Sequence, residues 1–172
     1  MHGYEIHQYL SEATGLGLVW QVKQSQLYAL LSKLEHKGYL TTTLEPQDAR
    51  PPRKIFQLTD RGQAAFLSWV RSPVQHGRKL RLEFLAKLYF ARRESPDILV
   101  DLISRQRQTC QRWLTEQQAE AEQTQGENRF DDLVHLFRKG QIEAMIDWLD
   151  ACENAFSTNA EELPIQPAAN DA

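Results

Sequence analysis

Apolar residues recur every three or four positions between Tyr4 and Thr14, at Ile6, Tyr9, Leu10 and Ala13, which predicts a short helix. Gly15 and Gly17 end it, and Leu16, Leu18, Val19 and Trp20 form an apolar patch in a connecting turn. From Gln24 to His36 the pattern returns as Leu27, Leu30, Leu31 and Leu34, an i, i+3, i+4, i+7 stripe. Gly38 stands where a left-handed C-terminal cap belongs. The opposite face carries Gln24, Ser25, Gln26, Tyr28, Ser32 and Lys33. Two short helices with a glycine-containing connection, the second polar on its outer face, predict a helix-turn-helix.

The period then changes. Tyr39 to Glu45 is β-rich, and Lys54 to Thr59 alternates through Ile55, Phe56 and Leu58. Pro46 to Arg53 between them reads as a long turn with a cationic tip. Thr59 is positioned to cap a further helix with Asp60 in its first turn, ending before Pro73. Helix, helix, strand, strand, helix is the order of a winged helix-turn-helix.

Residues 74–81 read as a linker and Leu82 to Arg92 as another helix. A long helix starts at Ser95-Pro96-Asp97 and runs to about Gln125. Leu99, Ile103, Gln106, Cys110, Trp113 and Gln117 alternate at four and three along it, a heptad seam. A second long helix covers about Phe130 to Phe156, with Ile142, Met145, Leu149, Cys152 and Phe156 on its seam. So long a pair on so small a domain reads as a dimerisation arm, with Leu99, Ile103, Trp113, Met145, Trp148, Leu149 and Phe156 as its contact residues. The alternative is an intramolecular hairpin. The fold class is therefore mainly α. A winged helix-turn-helix with a two-stranded wing (1–73) is followed by a linker (74–81), a long-helix dimerisation domain (82–156) and a disordered tail (157–172).

Composition narrows the function. With 172 residues, 41% hydrophobic, 25% charged and four tryptophans, the chain has enough apolar surface for a core. No run of about 18 apolar residues predicts a membrane span, and the first residues do not resemble a signal peptide. Two cysteines make no disulfide framework, and the expected compartment is the cytoplasm. The five histidines lack metal-ligand spacing, and neither a phosphate-binding loop nor a nucleophile elbow occurs, so no metal, cofactor or enzymatic activity is expected.

The net charge of −3 conceals a division. Residues 20–81 hold eleven basic residues against four acidic ones, a surplus of seven, while residues 82–172 hold nine against seventeen. A basic first half with an exposed polar helix points to double-stranded DNA. Gln24, Ser25 and Gln26 present short polar side chains to base edges in a major groove. Tyr28 and Lys33 reach phosphates, and Arg50, Arg53 and Lys54 at the wing extend the backbone contact. The alternative is a winged-helix module that binds protein and not DNA.

Three segments also resemble the PadR family of transcriptional regulators: Gly3-Tyr4-Glu5-Ile6, the stretch Ser25-Gln26-Leu27-Tyr28 through Leu31, Leu34-Glu35 and Gly38, and Arg50-Pro51-Pro52-Arg53-Lys54-Ile55-Phe56 through Leu58-Thr59 to Gly62. Leu82 to Phe90 and Ile146 to Leu149 are similar to that family's helical C-terminal domain. The resemblance implies a homodimeric DNA-binding repressor released by a small phenolic or hydrophobic effector. Trp113 and Trp148 are candidates to line an effector pocket, the alternative being core packing, the commoner role of aromatics at helical spacing. Members usually carry a further helix before the Gly-Tyr-Glu-Ile segment. Here Met1 opens the chain at that point, so either the start is misassigned or the first helix is missing, and Ile6, Leu10, Leu27 and Leu31 are expected to lose a packing partner. Lys23 stands where the family favours a small N-cap, so the recognition helix is expected to begin a residue or two later.

Overall fold

A computed structural model describes residues 1–12, 15–47, 50–124, 126 and 128–158; for Gln47, Arg50, Pro51, Ser157 and Thr158 it describes the backbone alone. The chain divides into two units, Met1–Glu94 and Ser95–Ala172.

The first unit begins with α1 (Gly3–Leu10), whose entry is closed by Glu5 accepting a 2.7 Å hydrogen bond from the His2 backbone N–H. It is shorter than the pattern predicted. At Gly15 the backbone turns at φ +61°, and Leu16–Val19, expected as a connecting turn, forms a one-turn helix, α2, that buries Leu16. α3 (Gln24–His36) has the expected bounds, and Gly38 adopts φ +73° just beyond it, a conformation that costs other residues energy. Its apolar stripe is narrower than the spacing suggested: Leu27 and Leu31 are buried, whereas Leu30 and Leu34 remain 36% and 39% exposed.

β1 (Leu40–Gln47) and β2 (Arg50–Leu58) pair antiparallel, with Thr42 opposite Phe56 and Glu45 opposite Arg53. The expected eight-residue loop is thus mostly strand. The register slips between Glu45 and Gln47, and pairing resumes at Gln47 and Arg50. In a two-stranded ribbon both strands are edges, so Pro46, Pro51 and Pro52 can be accommodated. α4 (Asp60–Val70) begins as predicted, with Thr59 Oγ1 accepting from Gly62 N at 2.9 Å.

The expected linker is partly helical. A 3-10 turn (Gly77–Lys79) and a π-helical turn (Leu80–Phe84) lead into α5 (Leu85–Glu94). α5, assigned from the sequence to the dimerisation domain, belongs to the first unit. The reason is packing. Leu10, Leu16, Leu27, Leu31 and Phe56 form one buried cluster, and Ile6, Tyr89 and Phe90 close over it. Phe90 also meets Phe66 edge-on at 5.1 Å. The loss of burial anticipated for Leu10, Leu27 and Leu31 does not occur, because β2 and α5 cover them.

Lys87 of α5 is 2% exposed. Its ammonium donates to Ser72 O at 2.7 Å and Ser72 Oγ at 3.1 Å, pairs with Glu83 at 3.3 Å and lies 5.3 Å from the Trp69 ring centre. Burial pulls its pKa down, and Glu83 only partly offsets this.

In the second unit, α6 (Pro96–Thr124) and α7 (Arg129–Thr158) form a hairpin. Ser95 Oγ accepts from Ile98 N at 3.2 Å, as its N-cap position predicted. Arg107 binds Glu153 and Asp150 across the pair, and Gln117 bonds to His135 at 2.6 Å. Ser157 and Thr158, expected in the tail, extend α7; the rest of that tail lies outside the described residues. Among the described residues no helix is long and apolar enough to cross a membrane.

Removing one partner of the Lys87 contact tests its role. Glu83→Gln leaves a buried ammonium without its counter-ion and is expected to cost about 2–3 kcal/mol in urea denaturation. Lys87→Met is expected to cost less, because Glu83 keeps Lys79 at 3.1 Å. Burial would raise the Glu83 carboxyl, but hydrogen bonds from Lys79 and Lys87 hold it below its ordinary value. Its contribution is therefore full above the ordinary carboxylate range and is lost as pH falls through the lowered value. Stability measured against pH should show a shallower acid loss for Glu83→Gln.

Candidate nucleic-acid interface

The outer face of α3 is built from its own cap outward. Lys23 has no side-chain acceptor with which to cap the helix. Gln26, three residues on, accepts a 3.4 Å bond from the Lys23 N–H and serves that end instead. The helix therefore starts at Gln24, not later as expected, and the Gln26 amide is partly engaged by its own backbone. Gln24, Ser25, Tyr28 and Lys33 are all exposed along the same helix.

Tyr28 has a second constraint that the sequence pattern did not reveal. Its ring lies over Gly3 of α1, where an added Cβ would stand 2.6 Å from Cε1. Gly3, noted above only within a motif, is thus a seat for the Tyr28 ring, whose hydroxyl would lie 3.1 Å from the same Cβ.

The wing stands beside α3 through Glu35. This carboxylate accepts a hydrogen bond from Thr42 Oγ1 of β1 and pairs with Lys54 Nζ of β2 at 3.9 Å. In the charge pattern Glu35 counts only as an ordinary helix-surface acid; strand pairing brings Thr42 and Lys54 to it. Lys54 lies on a strand and not at a loop tip, and shares its charge with Glu35. Arg53 is exposed, one residue nearer the tip. The Arg50 backbone pairs with Gln47, and its side chain lies outside the described residues.

The contact residues assigned to the C-terminal helices separate into two groups. Leu99, Ile103 and Leu149 are buried within the chain itself. They hold α6 to α7 and have no surface left for a partner, which favours the hairpin alternative for this seam. Trp113, Met145, Trp148 and Phe156 are half-buried. A cavity of about 690 Å³ near the hairpin turn is lined by Gln117, Asp132, His135 and Lys139 among others, and neither Trp113 nor Trp148 lines it. Burial pushes both the Cys110 and Cys152 thiols up, in keeping with packing roles.

Residues 1–68 match the transcriptional regulator PadR-like family, and residues 80–157 match the family described as virulence activator alpha C-term. The chain is similar to the negative transcriptional regulator PadR of Bacillus subtilis, 31% identical over 109 residues. That alignment takes in 61% of this chain and spans 59% of the relative's length. Among solved structures, Bacillus subtilis PadR in complex with operator DNA is similar at 25% identity and a TM-score of 0.42, covering 91% of this chain and 89% of that one. The same protein in complex with p-coumaric acid is similar at 24% identity and a TM-score of 0.41, covering 91% and 90%.

The Tyr28 seat generates a test. Gly3→Ala pushes the ring away. Because Tyr28 is 43% exposed and its ring end can swing outward, the expected cost is at most about 1 kcal/mol, offset in part by the better helix propensity of alanine. In a Tyr28→Leu background the same change should cost clearly less, and urea midpoints for the four proteins of that double-mutant cycle measure the difference.

Proposed function

We propose that this chain, whose residues 1–68 match the PadR-like family of transcriptional regulators, binds double-stranded DNA as a homodimer and regulates transcription in the cytoplasm. The observation that carries this reading is the joining of two surfaces by Glu35: the polar face of α3 and the strand that bears Arg53. In this reading α3 enters a major groove with Gln24 and Ser25 toward base edges. Gln26 contributes less than the sequence suggested, since its amide also closes the helix start. Tyr28 and Lys33 face the phosphates, and Arg53, with Arg50 beside it in β2, follows the backbone along the wing. Lys54 acts chiefly by orienting the wing through Glu35.

Two copies read two half-sites about one turn apart, roughly 34–36 Å. The regulator acts as a repressor, a sign supported by the Bacillus subtilis relative, which is a negative regulator. A small hydrophobic or phenolic effector releases it by favouring a different separation of the two reading heads, since a ligand shifts an equilibrium only by its differential affinity for the two states. p-Coumaric acid, bound by that same relative, is the first compound to try.

Binding to the chain's own promoter region across a salt series tests the proposal. Affinity should fall with a log–log slope of about −0.9 per phosphate contact. Arg53→Ala should weaken all sequences alike and flatten the slope by about one contact. Gln24→Ala should instead reduce discrimination between operator and mismatched DNA by about 1–3 kcal/mol. A slope that ignores Arg53→Ala removes the wing from the interface, and salt-independent or absent binding overturns the reading.

A further inference from the structure

Arg61, the second residue of α4, is exposed and yet held in place. Its guanidinium lies 5.2 Å from the centre of the Tyr39 ring, and its Nη1 stands 3.7 Å from the place a Cβ on Gly38 would take. Gly38 lies just beyond α3, so a cation from another element sits at the C-terminal end of that helix. The helix does not need it as a cap. The N–H groups of Lys37, Gly38 and Tyr39 already bond to the carbonyls of Lys33, Glu35 and Leu34, and the Gly38 carbonyl accepts from Thr59 Oγ1 at 2.8 Å. Among the described residues no acceptor bonds to the Arg61 side chain and no carboxylate pairs with it. A planar fork of unused donors, stacked on a ring, is pre-organised for an anion.

The outer face of α3 indicates which anion. At 100° per residue Ser25, Ala29, Ser32 and His36, all exposed, fall within a sector of about 60°. Serine and alanine are short, so the middle of this sector lets the helix lie deep in a groove. Thirteen residues make a helix about 20 Å long, whereas a major groove is about 12 Å wide. With the first turns of α3 at base edges, its last turn therefore reaches the rim, where a phosphate strand runs. Lys37 is exposed at the same end.

We propose that Arg61, positioned by the Tyr39 ring, clamps a DNA backbone phosphate at the groove rim beyond the C-terminal end of α3. The inference rests on the DNA-binding reading above and adds an anchor from α4 to those on α3 and the wing. Ordering a long side chain costs conformational freedom, and Arg61 has given up much of its own before DNA arrives. A phosphate contact carries no sequence information directly but fixes the orientation of the helix that reads bases.

Titration of a promoter duplex with the full chain across a salt series, read by fluorescence anisotropy, tests this. Arg61→Ala should weaken binding about tenfold on matched and mismatched duplexes alike and make the log–log slope shallower by about 0.9, one phosphate contact. Tyr39→Leu keeps the charge and removes the platform, so the slope should stay while affinity falls about threefold. Duplexes with a neutral methylphosphonate at one position at a time separate a direct contact from a general field. One such position should weaken the unaltered protein about tenfold and leave Arg61→Ala indifferent. Since Arg61 is exposed, the thermal midpoint of Arg61→Ala should hardly move; should that variant misfold, Arg61→Gln keeps much of the stem and removes the charge. A charge-free variant that matches the unaltered protein in affinity and slope, or the same methylphosphonate profile for both, would overturn the proposal and leave the DNA-binding reading standing. A Tyr39→Leu protein that binds as tightly as the unaltered one would overturn the positioning role of the ring. An unaltered protein that ignores promoter DNA would sink the reading and the proposal together.

Discussion

Phe56 is the point from which the first unit is organised. It sits in β2, and its burial with Leu27 and Leu31 fastens the ribbon to α3. Neither piece is stable alone: a two-stranded hairpin in water is marginal, and so is a 13-residue helix. Each of these side chains contributes about 1.5–3 kcal/mol by leaving water. Polar contacts then fix what burial leaves loose. Apolar packing tolerates a slide of an ångström or so, whereas the bonds of Glu35 to Thr42 and Lys54 tie the helix to particular positions on both strands. The DNA contact proposed above depends on that fixed relation, because base contacts lose value when the helix and wing move independently.

The formal charge of the basic segment overstates what a partner would feel. Lys79 pairs with Glu83, a residue outside the counted segment, which lowers the surplus of seven, whereas the pairing of Lys54 with Glu35 is already inside that count. Arg61 lies over the Tyr39 ring at 5.2 Å. Lys87, also beyond the segment, is buried and serves the junction between α4 and α5. Lys23, Lys33, Lys37, Arg53, Arg71, Arg78 and Arg81 remain exposed, so outward positive charge is spread over the segment.

Much of the fold could be read from spacing, because spacing reports local geometry. The bounds of α3 and α6 follow from apolar periodicity and from caps such as Ser95 and Gly38. The failures share a cause, which is that periodicity does not say what covers a face. Leu30 and Leu34 carry the right spacing yet stay partly exposed, while Leu99, Ile103 and Leu149 satisfy one another inside the chain. Pro46, Pro51 and Pro52 read as turn residues, but a ribbon with two free edges admits them. Residue types suited to DNA were legible on α3. The supporting residues Gly3, Glu35 and Gln26 were not, since their roles depend on contacts with α1, with both strands and with the helix's own first turn.

The π-helical turn at Leu80–Phe84 adjusts angular phase as well as joining α4 to α5. Such a turn holds one residue more than regular α-helix. Removing one residue there can close the turn into regular α-helix with the phase of α5 kept, whereas adding one would rotate α5 by about 100°. An added residue would turn Lys87 away from Ser72 and take Tyr89 and Phe90 out of the core around Phe56. Along this stretch the loss of one residue should therefore be tolerated better than the gain of one.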